Sequence, residues 1–291
     1  MLRLAVATDA ETLERIEAPL ADRGIEAAYL PTAERVQPLS EPLTDGEFDA
    51  GFVYPSRAME GGVADALLEV PWINDREAIL RSRNKAGALA RVGKADLPTL
   101  ESVYVSNPVS EAELRVAFER LDPPVVIKPN STTRGVGIAK AHDLDSFLGI
   151  CDYLGLIHDY RAADDRSFLV QEYLPDARDF RAMVIDGEFA GAVERRLPEA
   201  ERKAGRWKHN VHRGATAEGV ELPGELRRLA ERTAETLAVD WLGIDILVSD
   251  EHAVVNETNA RPTVDEATKY EPGFYDRLAA LIRRTAEAGA R

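Results

Sequence analysis

Acidic and amide side chains interrupt two apolar segments near the end of the chain, "GIDIL" and "VVNETN". If these segments are the strands of one hairpin with its turn centred on Glu251, Asp245 lies directly opposite Glu257. The two-residue period of a strand places Asn259 on the same face as Glu257. Facing carboxylates destabilise a hairpin unless a cation bridges them, and oxygen ligands without histidine favour Mg²⁺ or Mn²⁺. The buried character of the flanking residues favours a metal site over the alternative, a solvated edge strand.

A lysine and a loop of small residues could hold phosphate groups. In "VVIKPNSTTRGVGIAKA" Lys128 follows three apolar strand residues, and hydroxyl-bearing residues and glycines come next. Backbone N–H groups of such a loop can surround a phosphate. The candidate phosphate contacts are Lys128, Ser131, Thr132, Thr133, Gly135 and Gly137. Taken alone, the pattern fits a surface hairpin equally well.

The strand "FLVQEYL" ends at Pro175 and offers backbone groups that could bind the edge of a purine. The backbone of Glu172 and Tyr173 is the candidate for this contact. Asp179 follows closely and could accept hydrogen bonds from ribose hydroxyls. Taken alone, this stretch is also compatible with a purely structural role and no ligand contact.

The first 74 residues alternate strand and helix signals, with apolar runs such as "LRLAVAT" separated by amphipathic segments. This alternation predicts a small parallel sheet covered by helices. Asp75 is then the predicted cap of one long helix, "REAILRSRNKAGALARVG", which ends at Gly93.

After about residue 95 the regular alternation of strand and helix signals gives way to a different pattern, which includes hairpins. We expect a strand at "VVIKPN", a helix capped by Asp143, and a hairpin whose turn is the pair Asp186 and Gly187. Residues 198–219 lack periodicity and are expected to form a loop. Helices precede and follow the final hairpin. The fold class is therefore α/β, with α+β character in this part.

The charge of the chain excludes some partners. Its 291 residues include 36 basic and 51 acidic side chains, a net charge of −15, and only 7 of the basic residues are lysines. Such a surface repels nucleic acid and anionic membranes, so no nucleic acid and no membrane is expected as a partner. The composition is typical of a halophilic protein that stays hydrated in concentrated salt. An ordinary acidic enzyme is the alternative.

The chain is expected to be cytoplasmic. No apolar run approaches the roughly 18 residues of a membrane span, and the first residues do not form a signal peptide. A single cysteine, Cys151, excludes an intramolecular disulfide and a cysteine-cluster metal site. Its apolar surroundings argue against a thiol nucleophile.

Several motifs occur in a characteristic order: Lys85, Lys128, "VQEY", "ERR", "KHNVHRG", "GIDIL" and "VNETN". Their order resembles the ATP-grasp superfamily and, within it, the RimK-like amino-acid ligases, which include α-L-glutamate ligase and glutathione synthetase-like enzymes. The similarity covers about residues 70–290. It implies an ATP-grasp fold with a small N-terminal parallel α/β domain at 1–74, an N-lobe with the phosphate loop at 75–173 and a C-lobe with the metal site at 174–291.

In that family ATP lies between the two lobes, and the resemblance assigns roles to the matching residues. Those expected to contact the nucleotide are Lys85, Lys128, the loop residues named above, Glu172, Tyr173, Asp179, Lys208, His209 and Asn210. Arg195 and Arg213 match arginines near the transferred phosphoryl group. Asp245, Glu257 and Asn259 match the ligands of Mg²⁺ (or Mn²⁺).

The implied activity is ATP-dependent ligation of a carboxylate to an amine through an acyl phosphate, with an amino acid such as glutamate as the amine. The carboxylate partner is a small molecule or a peptide, and a homo-oligomer remains open. Two alternatives also remain: a nucleotide-binding module without ligase activity, and a kinase acting on a hydroxyl group.

The chain departs from the family after the last metal ligand. RimK-like ligases usually continue with a small residue, proline and glycine, whereas this chain has "NARPTVDEATKYEPG". Arg261 could pair with a substrate carboxylate. It could equally form a structural ion pair with Asp265 or Glu266. Because of this departure, the sequence does not decide whether glutamate is the added amino acid.

Overall fold

Three sheets organise the protein in this computed structural model. The structure describes residues 1–8, 10–44, 46–133, 135–158, 165–209, 214–250, 252–264 and 269–289. Within these ranges, no helix combines the length and the apolar character needed to cross a bilayer.

The first sheet is parallel, as predicted. Its elements are β1 (Leu2–Val6), α1 (Ala10–Ala21), β2 (Ile25–Tyr29), β3 (Ala50–Phe52), α2 (Ala58–Leu68) and β4 (Trp72–Ile73). The strand order is β2-β1-β3-β4, with every pair parallel. The short strands are apolar because helices cover the sheet, which leaves little strand surface for water.

Two helices follow where the sequence predicted one. They are α3 (Arg76–Arg83) and α4 (Lys85–Lys94), so the prediction of a single long helix is wrong. Asn84 leaves the helical conformation with φ −74° and ψ 88°, and its side chain accepts from the N–H of Gly87 at 2.9 Å. It therefore caps a new helix. The predicted cap at Asp75 is confirmed, since its side chain accepts from the N–H of Ala78.

The second sheet is antiparallel and is covered by helices on one face. Its elements are β5 (Ser102–Ser106), α5 (Glu111–Glu119), β6 (Val125–Pro129), β7 (Ala139–Ala141), α6 (Leu144–His158) and β8 (Ser167–Glu172), with strand order β5-β8-β6-β7. The sequence analysis did not predict β5 or α5. It did predict the cap of α6, where Asp143 Oδ1 accepts from the N–H of Ser146 at 2.8 Å.

The third sheet carries most of the polar candidates. Its elements are β9 (Arg178–Ile185), β10 (Glu188–Arg196), α7 (Glu199–Lys203), β11 (Thr216–Gly219), α8 (Gly224–Leu237), β12 (Trp241–Val248) and β13 (Ala253–Asn259), in the order β11-β10-β9-β12-β13. The predicted turn is confirmed, with positive φ at Asp186 (54°) and Gly187 (77°). The loop predicted at 198–219 instead contains α7 and β11. The short β11 forms by pairing with β10 rather than through its own apolar pattern.

A shared core joins the first sheet to the third. The helix α9 (Phe274–Gly289) packs against α1, β3 and β4, and the rings of Phe52 and Trp241 lie 4.3 Å apart. Asn74 donates from Nδ2 to the carbonyls of Trp241 (2.5 Å) and Ala260 (2.6 Å). These contacts hold the start of β12 and the end of β13 against the carboxyl edge of the parallel sheet.

Candidate active site

A cleft of about 590 Å³ lies between the second and third sheets. Val126 and Leu247 lie two residues from Lys128 and Asp245 on the same faces of β6 and β12, and with Leu100, Ile138 and Leu174 they form the part of the lining that we call the apolar end. The other end, the charged end, is lined by Lys128, Asp179, Arg195, Asp245 and Glu257. A cleft with these two ends suits a ligand that has a flat apolar part and a highly charged part.

The hairpin of β12 and β13 forms the floor of the charged end. Asp245 pairs directly with Glu257, which confirms the register predicted from the sequence. The register shifts immediately beyond Asp245, because Ile246 pairs with Val255, and Asn256 is the additional residue of this bulge. The sequence analysis missed Asn256, whose Oδ1 accepts from Lys128 Nζ at 2.6 Å.

Two arginines hold the carboxylate of Asp245. Arg181 donates from Nε and Nη2 to its two oxygens at 2.7 and 2.9 Å, and Arg195 Nη2 lies 2.9 Å from Oδ2. Burial alone would raise the pKa of Asp245, but the two guanidinium groups hold that pKa well below its usual range. Asp245 is therefore a fixed anion. The sequence analysis also missed Arg181, although it lies two residues after Asp179.

Arg195 and Asp179 form a buried ion pair in the same floor. Arg195 Nη2 donates to Asp179 Oδ1 at 2.5 Å, and His209 Nδ1 lies 3.8 Å from the other oxygen of Asp179. Burial alone would lower the pKa of Arg195, but Asp179 and Asp245 keep it above its usual value. Burial also lowers the pKa of His209. The predicted phosphoryl contact of Arg195 and ribose contact of Asp179 stay predictions, since the two side chains bind each other here.

The two predicted phosphate-binding lysines meet beside Glu257. Lys85 Nζ lies 3.5 Å from Glu257 Oε1 and also donates to the carbonyl of Thr132. Both lysines are buried. Burial lowers the pKa of Lys128 to about 8, and the charge of Glu257 only partly offsets this effect. Helix α4 and strand β6 thus bring two cations to one carboxylate.

The glycine loop folds back on the end of β6. Gly135 and Gly137 have φ values of 67° and 77°, and a Cβ at Gly137 would lie 2.8 Å from Pro129 Cγ. Thr132 Oγ1 donates to the carbonyl of Val136 at 2.9 Å. The predicted phosphate contacts of the loop stay predictions, because Ser131, Thr132, Thr133, Gly135 and Gly137 are not among the residues that line the described part of the cleft.

Aromatic residues and lysines close the apolar end. Glu172 is fixed through Oε1, which accepts from the N–H of Glu101 at 2.8 Å, and the ring of Tyr173 lies 5.8 Å from that of Trp207. The Nζ atom of Lys140 lies over both rings. Lys140 and Trp207 were missed by the sequence analysis. Because the chain has only 7 lysines, the presence of one shortly after the glycine loop could have identified Lys140 as a candidate site residue.

Oxygen donors of the type that a hard cation prefers lie on the β12–β13 hairpin at Asp245, Glu257 and Asn259, and Asn259 already has one hydrogen-bond donor. Its Oδ1 accepts from the N–H of Arg261 at 2.9 Å. The described ranges contain no group of three or more His, Cys, Asp and Glu side chains that could hold a metal. Asp245 and Glu257 therefore fit an ion that takes further oxygen ligands from a bound phosphate.

Arg261 reaches the first sheet. It donates to the backbone carbonyls of Tyr54 and Ala7, which follow β3 and β1. The ion-pair partners suggested by the sequence, Asp265 and Glu266, lie outside the described residues. Asn210 and Arg213 lie outside them as well, so their predicted roles stay predictions.

Cys151 lies on the buried face of α6 and is not among the residues that line the cleft. Burial raises the pKa of its thiol to about 12, with a smaller contribution from Asp152. A thiol of this kind stays protonated at neutral pH, in agreement with the prediction that it is not a nucleophile.

Residues 82–273 match the family model for the RimK-like ATP-grasp domain. The chain is 31% identical over 203 residues to the ribosomal protein bS6–L-glutamate ligase of Shigella boydii, covering 68% of this chain and 62% of the relative. It is 28% identical over 196 residues to a probable α-L-glutamate ligase of Pectobacterium carotovorum, covering 66% and 60%. The matched region thus spans about three fifths of the length of these relatives.

Solved structures share the whole fold. A D-alanine–D-alanine ligase from Bacillus anthracis complexed with ATP superimposes with a TM-score of 0.70 at 16% identity, covering 99% of this chain and 98% of that one. A RimK domain ATP-grasp protein from Sphaerobacter thermophilus gives 0.67 at 21% identity, covering 98% of both. These similarities confirm the predicted ATP-grasp fold with its N-terminal parallel sheet.

Proposed function

Because the chain belongs to the RimK-like ATP-grasp family, we propose that it is an ATP-dependent ligase that joins a carboxylate to an amine through an acyl phosphate. One observation carries most weight. Two buried lysines, Lys85 and Lys128, lie beside the facing carboxylates of Asp245 and Glu257, at one end of a cleft whose other end is apolar.

The chemistry requires such a cleft. A carboxylate does not react with an amine at neutral pH until one oxygen becomes a leaving group, and phosphoryl transfer from ATP supplies that leaving group. Phosphoryl transfer depends on positioning and on cations along the triphosphate. Lys85 and Lys128 supply two of these cations from rigid elements, a helix start and a strand end.

The nucleotide is proposed to lie along the cleft with its base at the apolar end. The backbone of Glu172 and Tyr173 then contacts the base, and Asp179 the ribose. Lys208 and His209, which line the cleft, are proposed to contact the nucleotide together with Asn210. The glycine loop, residues 130–137, closes over the phosphates and keeps water from the acyl phosphate.

Mg²⁺, or Mn²⁺, would be held by Asp245, Glu257 and Asn259. When bound, the ion supplies positive charge along the triphosphate. The chain prepares two of these ligands in different ways. Arg181 and Arg195 fix Asp245 as an anion, whereas Glu257 remains 27% exposed and lies beside the ammonium groups of Lys85 and Lys128. Arg195 and Arg213 are proposed to stabilise the charge on the transferred phosphoryl group and on the oxyanion of the following step.

The proposed substrates are an amino acid and a small-molecule or peptide carboxylate. Relatives are named for adding L-glutamate, in one case to ribosomal protein bS6, which supports an amino acid as the amine. The division into domains at 1–74, 75–173 and 174–291 is part of the proposal. In packing, α3 and α4 of the second unit lie against the third unit, because they contact β13 and α8.

Release of ADP tests the proposal. The purified chain is incubated with ATP, Mg²⁺ and pairwise combinations of amino acids and carboxylic acids, and the products are analysed by mass spectrometry. We expect ADP release that needs both an amine and a carboxylate, with a product joined by loss of one water. ADP with a phosphorylated hydroxyl product would identify a kinase instead. Nucleotide binding without ADP release in any combination would favour a binding module.

A further inference from the structure

The turn that directly follows β13 is held by side chains from earlier parts of the chain. Ala260 donates its N–H to Ser82 Oγ of α3 at 3.0 Å, and its carbonyl accepts from Asn74 Nδ2 at 2.6 Å. One residue earlier, Asn259 Oδ1 accepts from the N–H of Arg261 at 2.9 Å. The backbone of this turn therefore orients the side chain of the proposed metal ligand Asn259.

Arg261 connects the turn to the first sheet. In the strand order β2-β1-β3-β4, the direction of winding reverses between β1 and β3. The guanidinium group of Arg261 lies across the carboxyl ends of these two strands, since it donates to the carbonyl of Ala7 after β1 (3.2 Å) and to that of Tyr54 after β3. Such a reversal point forms a crevice in which open α/β sheets bind ligands. Here a side chain from the end of the third sheet uses the crevice as an anchor.

The amide oxygen of Asn259 can serve two partners at once. It has two lone pairs, so Oδ1 can accept one hydrogen bond and also bind a cation. The N–H of Arg261 takes one lone pair and thereby sets the direction of the other. Hydrogen bonds of this kind orient the ligands of a metal, and their loss typically weakens metal binding by about 10- to 100-fold. The orientation of Asn259 thus depends on how firmly the backbone of Arg261 is held.

We infer that Arg261 is a positioning residue for the metal site: its side chain anchors the turn to the ends of β1 and β3, and its N–H then holds Asn259 in place as a ligand. The inference rests on the proposed function, because it assumes that Asn259 binds Mg²⁺ or Mn²⁺. Arg261 lies in the stretch at which the sequence departs from RimK-like ligases. The anchor is therefore expected in this chain rather than throughout the family.

The metal itself is the probe that tests the inference. The full chain is saturated with adenosine β,γ-imidotriphosphate and titrated with Mn²⁺, and the electron paramagnetic resonance signal of the free ion, corrected for nucleotide alone, gives the dissociation constant. Arg261→Met removes the guanidinium group but keeps an unbranched stem. We expect it to weaken Mn²⁺ binding about 10-fold, while the affinity for nucleotide without metal stays within about 2-fold.

Arg81→Met is the matched control. Arg81 is also partly buried and also joins two elements through backbone carbonyls, those of Leu237 at 2.6 Å and Ala238 at 3.1 Å. These carbonyls lie at the end of α8 and not on the β12–β13 hairpin. Arg81→Met should therefore lower the melting temperature without changing the affinity for Mn²⁺.

A double-mutant cycle determines whether Arg261 acts through Asn259. Asn259→Ala alone should weaken Mn²⁺ binding at least about 10-fold. In that background Arg261→Met should add less than about 2-fold, because the ligand that Arg261 positions is already gone. If Arg261→Met does not fold, Arg261→Lys takes its place in the cycle. A lysine still donates to a carbonyl at this position, so the expected loss in the wild-type background is about 3-fold.

Four results would overturn the inference. They are wild-type Mn²⁺ affinity in Arg261→Met, wild-type Mn²⁺ affinity in Asn259→Ala, an equal loss of affinity in Arg81→Met, and a full Arg261→Met loss that persists in the Asn259→Ala background. The ligase proposal is tested separately by ADP release, so it can survive any of them. A folded wild-type protein that binds no Mn²⁺ beside the nucleotide would refute the proposed metal site and this inference together.

Discussion

Glu257 is the residue on which the proposed metal site depends most. Its carboxylate faces Asp245 across the hairpin and lies 3.5 Å from Lys85 Nζ. Glu257→Gln keeps the shape of the side chain but removes the charge that a divalent cation requires. We expect turnover to fall by at least about 100-fold, the scale of losing one transition-state interaction, with an unchanged melting temperature.

Glu225→Gln, an exposed acid at the start of α8, is the control for Glu257→Gln and should retain full activity. ADP release at several Mg²⁺ concentrations measures the effect. Near-normal activity of Glu257→Gln would exclude the assignment of Glu257 as a metal ligand.

Arg181 keeps Asp245 charged, and its removal should cost stability. The side chain forms two hydrogen bonds to a carboxylate that is only 7% exposed. Arg181→Gln leaves Arg195 as the one described guanidinium group at that carboxylate. We expect the free energy of unfolding in urea to fall by about 1–3 kcal/mol, less than for a fully buried pair because Arg181 itself is partly exposed.

Arg178 offers a matched comparison on the same strand. It forms a similar pair with Glu194, but its own side chain is 59% exposed. Arg178→Gln should therefore cost less than about 1 kcal/mol. Equal losses in the two variants would contradict the special role of the Asp245 cluster.

The structural roles of single residues could be predicted where a local sequence rule applied. The facing of Asp245 and Glu257 followed from the strand period, and the cap at Asp75 followed from its position before an apolar run. Arg181, Lys140 and Trp207 escaped prediction because their roles come from neighbours at least 33 residues away in sequence, such as Tyr173 for Lys140. No local pattern encodes such contacts.

At the scale of elements, two glycines should respond oppositely to the same substitution. Gly137 has a φ of 77°, and a Cβ there would lie 2.8 Å from Pro129 Cγ, whereas a Cβ on Gly149 in α6 would meet nothing within 4 Å. Gly149→Ala should raise the free energy of unfolding by about 0.5–1 kcal/mol, because alanine favours a helix. Gly137→Ala should lower it by at least about 1 kcal/mol and weaken ATP binding.

Thermal unfolding and calorimetry of both glycine variants provide the measurement. A Gly137→Ala protein with wild-type ATP affinity would show that the conformation of the glycine loop does not matter for the nucleotide. A destabilised Gly149→Ala protein would mean that the outer face of α6 is covered in solution.

Predictions of helices and strands succeeded for apolar or strongly periodic segments. They failed where contacts with distant parts of the chain determine the local structure. The parallel sheet was predictable from short apolar runs between amphipathic helices. The break at Asn84 was not, because the side chain of an asparagine can either continue a helix surface or cap a new one. The strand β11, "TAEG", has no apolar residue besides an alanine, and only the edge of β10 makes it a strand.

The whole molecule combines a strongly acidic surface with a cationic cleft. Its net charge is −15 with 7 lysines, yet Lys85, Lys128, Lys140 and Lys208 all lie in or beside the cleft. Repulsion among the remaining acids destabilises the folded state at low ionic strength. The melting temperature should therefore rise as KCl increases from about 0.1 M to 2 M, since screening reaches a few ångströms there.

Sucrose at equal osmolality is the control, because it excludes an effect of water activity. A melting temperature that stays flat or falls with KCl would identify the chain as an ordinary acidic enzyme. The prediction that the protein is halophilic would then lose its support.

The contacts of Asn74 with Trp241 and Ala260 have a consequence for how the molecule can be divided. Phe52 and Ile73 of the first sheet share one core with Met183 and Trp241 of the third, and Gly289 at the end of α9 lies against Pro71. The second sheet separates the first and third sheets in sequence, yet the first and third are not separable modules. An excised fragment 75–291 would expose to water the apolar side chains of β12 and α9 that pack against the first sheet. Exchanging the first 74 residues for those of a relative would require matching both sides of this shared core.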